Sequence, residues 1–411
     1  MDERVSQRWS GGQTRVVPDH VPQHLVNSFN FFSEPGMESC PFETIAKVRD
    51  ERPIFWNIGD LQFGGSWVVT RAEEARYVGS HPELFSSRNS AALSQLADDT
   101  FDLIPLELDP PDHTVFRRLL SPLFSVQAID AIEPAMTRRC VRLVEGLRSR
   151  GHCELMSEFG FLFPNGVFTE LLGMDDDLAP TITGWVERIM HAGNFDEKRI
   201  YARTLRDFIA KLIADRQANP GNDLASVIVR AQVDGRALSY DEIMGALYLL
   251  FVGAYDTVGA TLGFFFRHLA QHPDQQQFLR AHPDQIERAV EELLRLYSVV
   301  STRRVCTRDV EVAGVHMKKG DWVITPLTLA STDPQEYACP HQADFNRKNN
   351  KHFAFQVGPH FCMGIHLARR ELKIALTEWL ARIPLWHVTP GVPPVTQGGI
   401  FGMKRLELTW S

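Results

Sequence analysis

The 411-residue sequence predicts a mainly α-helical protein with small β-sheets at its edges, an α+β fold. Three observations point there. From about residue 114 to 298 the apolar spacing is helical with few interruptions. Short β-rich segments flank that body, at 53–71, at 304–325 and after Pro384. Near the C-terminus one cysteine, Cys362, lies between a Gly/Pro loop and an apolar helical stripe.

Each element follows from its residues. Positions 1–20 are polar and broken by Gly and Pro, with no apolar leader or amphipathic anchor, so they read as an extended arm on a cytoplasmic protein. Residues 53–71 read as a hairpin turning at Ile58-Gly59-Asp60, its second arm ending at Trp67, Val68 and Val69. The helical body breaks at Pro164, Gly173, Pro220 and Gly235. Within it, Ala246 to Phe266 carries one charge in 21 residues and is long enough to span a membrane. Asp256 at mid-span would be expensive in lipid, so a helix through a protein core is expected and no membrane partner. Strands return at 304–325, with a Lys319-Gly320 turn, and short ones follow near Ile400 and Leu406. No Gly/Ser linker, charge block or repeat divides the chain, so one unit over 1–411 is expected, acting as a monomer.

Composition narrows the function. At 44% hydrophobic and 23% charged the chain can bury a large core, and a net charge of −8 argues against nucleic acid as a partner. Six cysteines form no C-x-x-C pair, which points away from a zinc site or a disulfide framework and fits a reducing compartment.

The chemistry concentrates in two places. Gly358 and Pro359 break regular structure ahead of Cys362, while Ala368, Leu372, Ala375, Leu376 and Trp379 share one helical stripe after it. A sulfur at a helix start sees unpaired N–H groups and the positive end of the dipole, which lowers the thiol's pKa and suits a metal-bound thiolate. Phe355 would shield it from water. The second place is Asp256-Thr257 in the central helix. A buried carboxylate needs a partner, either a structural cation or a proton-handling role, and Thr257 can bond back to the Gly253 carbonyl and notch the helix.

Phe355, Gly358, His360, Cys362 and Gly364 closely resemble the haem-binding loop of the cytochrome P450 monooxygenases, and Gly253 to Thr257 resembles their oxygen-activation motif. The likeness spans nearly the whole chain, most strongly to the bacterial camphor-hydroxylating members. It implies haem b between a long central helix and a cysteine loop, with Cys362 as axial iron ligand. It implies that Asp256 relays protons, that Thr257 steadies dioxygen, and that His113, Arg117, Arg304 and His360 hold the propionates. Glu292 and Arg295, an E-x-x-R pair, become a buried scaffold near the haem loop. Matching positions propose an apolar substrate pocket of Phe101, Leu249, Val252, Val300, Ile400 and Phe401.

The family's chemistry implies O2 as co-substrate. Its soluble members take electrons from a [2Fe-2S] ferredoxin served by an NAD(P)H-dependent reductase, and a basic face of Arg117, Arg118, Lys351, Arg369 and Arg370 would receive the ferredoxin. The expected substrate is a small apolar cyclic terpenoid or norisoprenoid. A haem-thiolate sensor and a peroxide-driven enzyme are the alternatives, and the acid-threonine pair argues against both. This chain departs from the pattern at Gln356, where a small residue is usual, at Thr302, where the camphor enzyme has Asp, and at Phe101, where it has Tyr. His191 replaces one of the acid's usual partners, which leaves the pairing of Asp256 open.

Overall fold

Strand segments buried on both faces draw distant parts of the chain into one sheet. The computed structural model describes residues 17–59 and 65–411. The strands are β1 (Val26–Asn27), β2 (Ile54–Asn57), β3 (Ser66–Val69), β4 (Phe85–Ser86), β5 (Ser301–Cys306), the hairpin β6 (Val310–Val312) and β7 (Val315–Met317), and β8 (Trp322–Pro326). The sheet runs β1-β2-β3-β8-β5-β4. Arms β2 and β3 pair antiparallel as expected, Trp56 opposite Trp67, while residues 60–64 of their turn lie outside the described residues. Strand β8 lies parallel to β3 and antiparallel to β5, with Thr325 opposite Thr302 and Val323 opposite Arg304. Residues two apart on a strand share a face, so Thr302 and Arg304 stand side by side.

The helical body comprises α1 (Asp112–Leu120), α2 (Val126–Arg148), α3 (Leu162–Leu171), α4 (Ala179–His191), α5 (Phe195–Ala218), α6 (Tyr240–Ala254), α7 (Thr257–Gln271) and α8 (Ile286–Leu296), followed by α9 (Ile365–Arg382) and shorter helices. Pro164 does not break the body. It sits in the first turn of α3, where a missing N–H costs nothing. The apolar segment expected as one core helix is two, starting from a Ser239/Glu242 capping box and interrupted at residues 255–256. The cause is the anticipated one: Thr257 Oγ1 donates to the Gly253 carbonyl at 2.9 Å, diverting the ladder. Both halves are largely buried in the hydrophobic core, against α3, α5 and α9.

Glu292 and Arg295 are buried on α8, the guanidinium forking onto the carboxylate at 2.8 and 2.9 Å. Arg347 adds a third member, its Nε 3.0 Å from Glu292 Oε1, and Arg295 also donates to the carbonyls of Ser331 and Pro340. Removing Arg295 would leave the buried Glu292 with Arg347 alone and strip the Ser331 and Pro340 carbonyls of their donor. Arg295→Ala is therefore expected to lower unfolding free energy by about 3–5 kcal/mol, read from chemical denaturation. A loss below about 1 kcal/mol would put this cluster with exposed ion pairs instead.

Candidate active site

Two cavities meet inside the protein. The first, about 340 Å³, is bounded by the cysteine loop and α9 on one side and by Gly253, Ala254 and Thr257 on the other. The second, about 350 Å³, shares Leu106, Leu249, Gly253, Thr257, Val300 and Thr302 with the first and extends to Phe31, Leu96, Ile189 and Ile400. The helix break thus separates a slot from a chamber and faces both.

Cys362 sits on the wall of the first cavity, three residues before α9 begins. Its N–H donates to the Phe355 carbonyl at 2.8 Å, closing the loop on itself. Gly358 is obligatory there: its φ is +75°, and a Cβ would lie 2.1 Å from the Gly79 carbonyl oxygen. Burial pushes the Cys362 thiol up, so the helix start alone does not lower it as the sequence suggested; the Gly364 N–H and Arg117 act the other way. Cys306 has no such helpers, and burial with nearby acids pushes it up to about 12. A bound metal cation would tip Cys362 to thiolate outright.

The residues expected at the propionates gather at one end of the slot. His113 and Arg117 line the first cavity, Arg304 the second and His360 both. The rings of His113 and His360 lie 4.3 Å apart, and His360 Nε2 is 3.0 Å from Ser87 Oγ. Burial and then the Arg304 charge hold His360 down at about 2, and burial lowers Arg304 to about 10. Both ring nitrogens of His113 and Nη2 of Arg304 are buried without a hydrogen-bond partner among the described residues. Buried donors and suppressed cations in one cluster call for an anionic ligand, which haem carboxylates supply. With Cys362 on the wall of the same cavity, the residues fit haem b.

Thr257 lines both cavities, but Asp256 lines neither. Its carboxylate turns back to α4, where His191 Nε2 lies 3.0 and 3.1 Å from its two oxygens. That settles the pairing left open by the sequence.

The substrate expectation needs correction at two positions. Leu249, Val252, Val300 and Ile400 line the chamber. Phe101 and Phe401 are buried outside both cavities, Phe101 against Tyr248 with ring centroids 5.3 Å apart and Phe401 against Phe42 at 5.2 Å. Leu93, Leu96, Leu103 and Leu106, from the same segment as Phe101, take its place. The reason is local: Glu107 accepts from the N–H groups of Ala91, Ala92 and Leu103, folding the segment so that its leucines face inward. Sequence reasoning also missed Lys198, buried on the chamber wall with Nζ 2.9 Å from the Met190 carbonyl, and Glu371, on the slot wall and raised well above the carboxylate range by burial. Lys198 opens an amphipathic helix and Glu371 interrupts an apolar stripe, so neither stood out by type.

Two departures from the family pattern prove to touch. Gln356 adopts φ +64° and donates through Nε2 to Thr302 Oγ1 at 2.6 Å, both residues facing both cavities. The left-handed backbone costs roughly 1–2 kcal/mol for a residue with a Cβ, and the tie to β5 opposes that cost. The expected basic face is less basic than its composition. Arg117 turns into the slot, Arg369 forks onto Glu291 at 2.5 and 2.7 Å, and Arg370 pairs with Asp130 and Glu133, while Arg118 and Lys351 are exposed.

Comparison with known proteins agrees with this geometry. A family model described as "Cytochrome P450" matches residues 188–397. A probable cytochrome P450 127A1 of Sinorhizobium fredii is 41% identical, covering 97% of this chain and 98% of its own length. A methyl-branched lipid omega-hydroxylase of Mycobacterium tuberculosis is 30% identical, covering 89% and 90%. The crystal structure of cytochrome P450 CYP101C1 superposes with a TM-score of 0.87 at 30% identity, covering 96% of this chain and 100% of that one.

Proposed function

The chain belongs to the cytochrome P450 family, whose members are haem b monooxygenases, and we propose that it hydroxylates a small apolar cyclic substrate such as a terpenoid or norisoprenoid. The observation that carries this reading is the chamber, apolar along Leu93, Leu96, Leu249, Val252 and Ile400 and opening onto the slot at Thr257. Size and desolvation would select the ligand there, with few polar groups to orient it. Lys198 on the far wall favours a substrate bearing a hydrogen-bond acceptor over a plain hydrocarbon.

In this reading Cys362 would bind the haem iron, Phe355 would cover the sulfur, and His113, Arg117, Arg304 and His360 would hold the carboxylates. When bound, the haem supplies reductive activation of O2. The chain's own residues do the rest. Leu249, Val252 and Val300 hold the substrate against the helix break and exclude water. Thr257, whose hydroxyl donates to the Gly253 carbonyl, presents its oxygen lone pairs to the cavity and orients a water there. Asp256 supplies a proton to that water from behind.

We further propose electron delivery by a [2Fe-2S] ferredoxin and an NAD(P)H-dependent reductase, docked near exposed Arg118 and Lys351. The protein would act as a cytoplasmic monomer with its single catalytic domain spanning 1–411. Burial of much of the apolar segment Tyr240–Gln271 inside the fold fits a core helix rather than a membrane span.

The test is a ligand screen of the holoprotein by its Soret shift, followed by turnover with a ferredoxin and reductase. Cyclic terpenoid or norisoprenoid ketones and alcohols should bind at least about tenfold more tightly than straight-chain fatty acids, a difference of about 1.4 kcal/mol. Equal or tighter binding of fatty acids would overturn the substrate class. Reduction by the ferredoxin should slow as salt rises.

A further inference from the structure

The pairing of Asp256 with a histidine has a consequence that a permanent cation would not have. His191 ends α4, and its ring is nearly sealed, with side-chain exposures of 3% for His191 and 2% for Asp256. Nε2 stands almost equidistant from both carboxylate oxygens, at 3.0 and 3.1 Å. Nδ1, on the opposite side of the ring, is buried with no hydrogen-bond partner among the described residues. Gly193 and Asn194, two and three residues on, are exposed, so solvent lies just beyond the turn into α5.

We propose that His191 is the proton-loading partner of Asp256, taking up protons from solvent and passing one from Nε2 to the carboxylate in each turnover. The inference rests on the reading of Asp256 and Thr257 as the proton-delivering pair. An arginine or lysine could hold the carboxylate but could not give up its proton near neutral pH; imidazole can, and it has a second nitrogen facing away.

The step balances as a proton transfer. The Nε2–H bond breaks as an O–H bond forms on Asp256, turning an imidazolium and a carboxylate into neutral imidazole and carboxylic acid. Asp256 then turns its proton toward Thr257 and the cavity, becoming carboxylate again. The ring then turns so that its bare Nε2 meets solvent, takes up one proton there and returns to Asp256 as imidazolium.

The surrounding charges are few. Lys198 on α5 opposes protonation of His191 and Glu187 on α4 favours it, while α3 meets α4 through the uncharged Asn165 and Thr183. Burial also opposes the imidazolium, but Asp256, by its charge and its hydrogen bond, outweighs both and raises His191 above the ordinary imidazole value. The sign follows. The imidazolium, with the stability its ion pair contributes, is present below the ordinary imidazole pKa and is lost as pH rises through the raised value.

The test uses the holoenzyme and the variants His191→Gln, His191→Arg and Asp256→Asn. By NMR, the His191 ring should titrate above the ordinary value in the wild type and fall to or below it in Asp256→Asn. Product formed per NAD(P)H oxidised should decline in the wild type as pH rises through the measured His191 pKa. His191→Gln and His191→Arg should be about tenfold less coupled at neutral pH, with flat profiles. The arginine variant keeps the ion pair, so loss of coupling in it, with Soret spectrum and melting temperature retained, excludes a merely structural role. Coupling within twofold of wild type and the same pH profile in both His191 variants, while Asp256→Asn is uncoupled, would overturn the proton-loading role alone. Full coupling in Asp256→Asn would overturn the relay reading beneath it.

Discussion

Cys362→Ser is expected to abolish the red-shifted Soret band of the reduced CO complex and to reduce product formation to background. Cys362 is the cysteine on the wall of the slot, facing Gly253 and Thr257 across it. Cys140 and Cys153 are buried thiols outside that cavity, pushed up by their surroundings. A serine oxygen is a harder and more basic donor, so even where the pocket still retains haem, the electron donation that defines the thiolate spectrum is lost. The drop in activity should exceed the roughly 100-fold that loss of a supporting residue around a metal costs. The loop itself should survive, because its closure rests on the backbone bond from Cys362 to Phe355 and on Gly358. Circular dichroism should therefore be unchanged. A retained thiolate spectrum would move the ligand to another cysteine.

Thr257→Ala is expected to leave haem content and substrate binding intact while product per NAD(P)H falls about tenfold and peroxide rises to match. A positioned proton-transfer group contributes roughly 10²–10⁴-fold; a loss below that range is expected because, in the proposed relay, Thr257 only orients water while Asp256 holds the proton. The side chain touches both cavities, so its loss opens space for disordered water at the point where order matters. Freed of the side-chain bond to the Gly253 carbonyl, the break between α6 and α7 should also straighten, visible as a stability gain of a few tenths of a kcal/mol from the better helix former. Full coupling in this variant would remove Thr257 from the mechanism and leave the haem assignment untouched.

Much of this site was legible in the sequence because its determinants are local. The bond from Thr257 to Gly253 spans four residues and follows from helix geometry, as does the fork of Arg295 onto Glu292 three residues away. The start of α9 three residues beyond Cys362 follows from the Gly/Pro loop and the apolar stripe behind it. Such features are written in spacing, and any tertiary surroundings that keep the helix keep them too.

What only the tertiary structure decided lies between segments far apart. Asp256 meets His191 across 65 positions, Arg347 completes the Glu292 cluster across 55, and Gln356 reaches Thr302 across 54. Phe101 turns against Tyr248 instead of the chamber, and Lys198 lines a chamber that matching positions had described as apolar. Periodicity says which face of a helix is buried, but not what it is buried against. That is set by how α4, α5 and the segment before α1 close over the break between α6 and α7, where a rotation of one residue exchanges a wall for a core contact. The cysteine loop proposed to hold the haem and the bend in the central helix are therefore sequence-determined, whereas the pairing of Asp256 and the shape of the chamber belong to the packing.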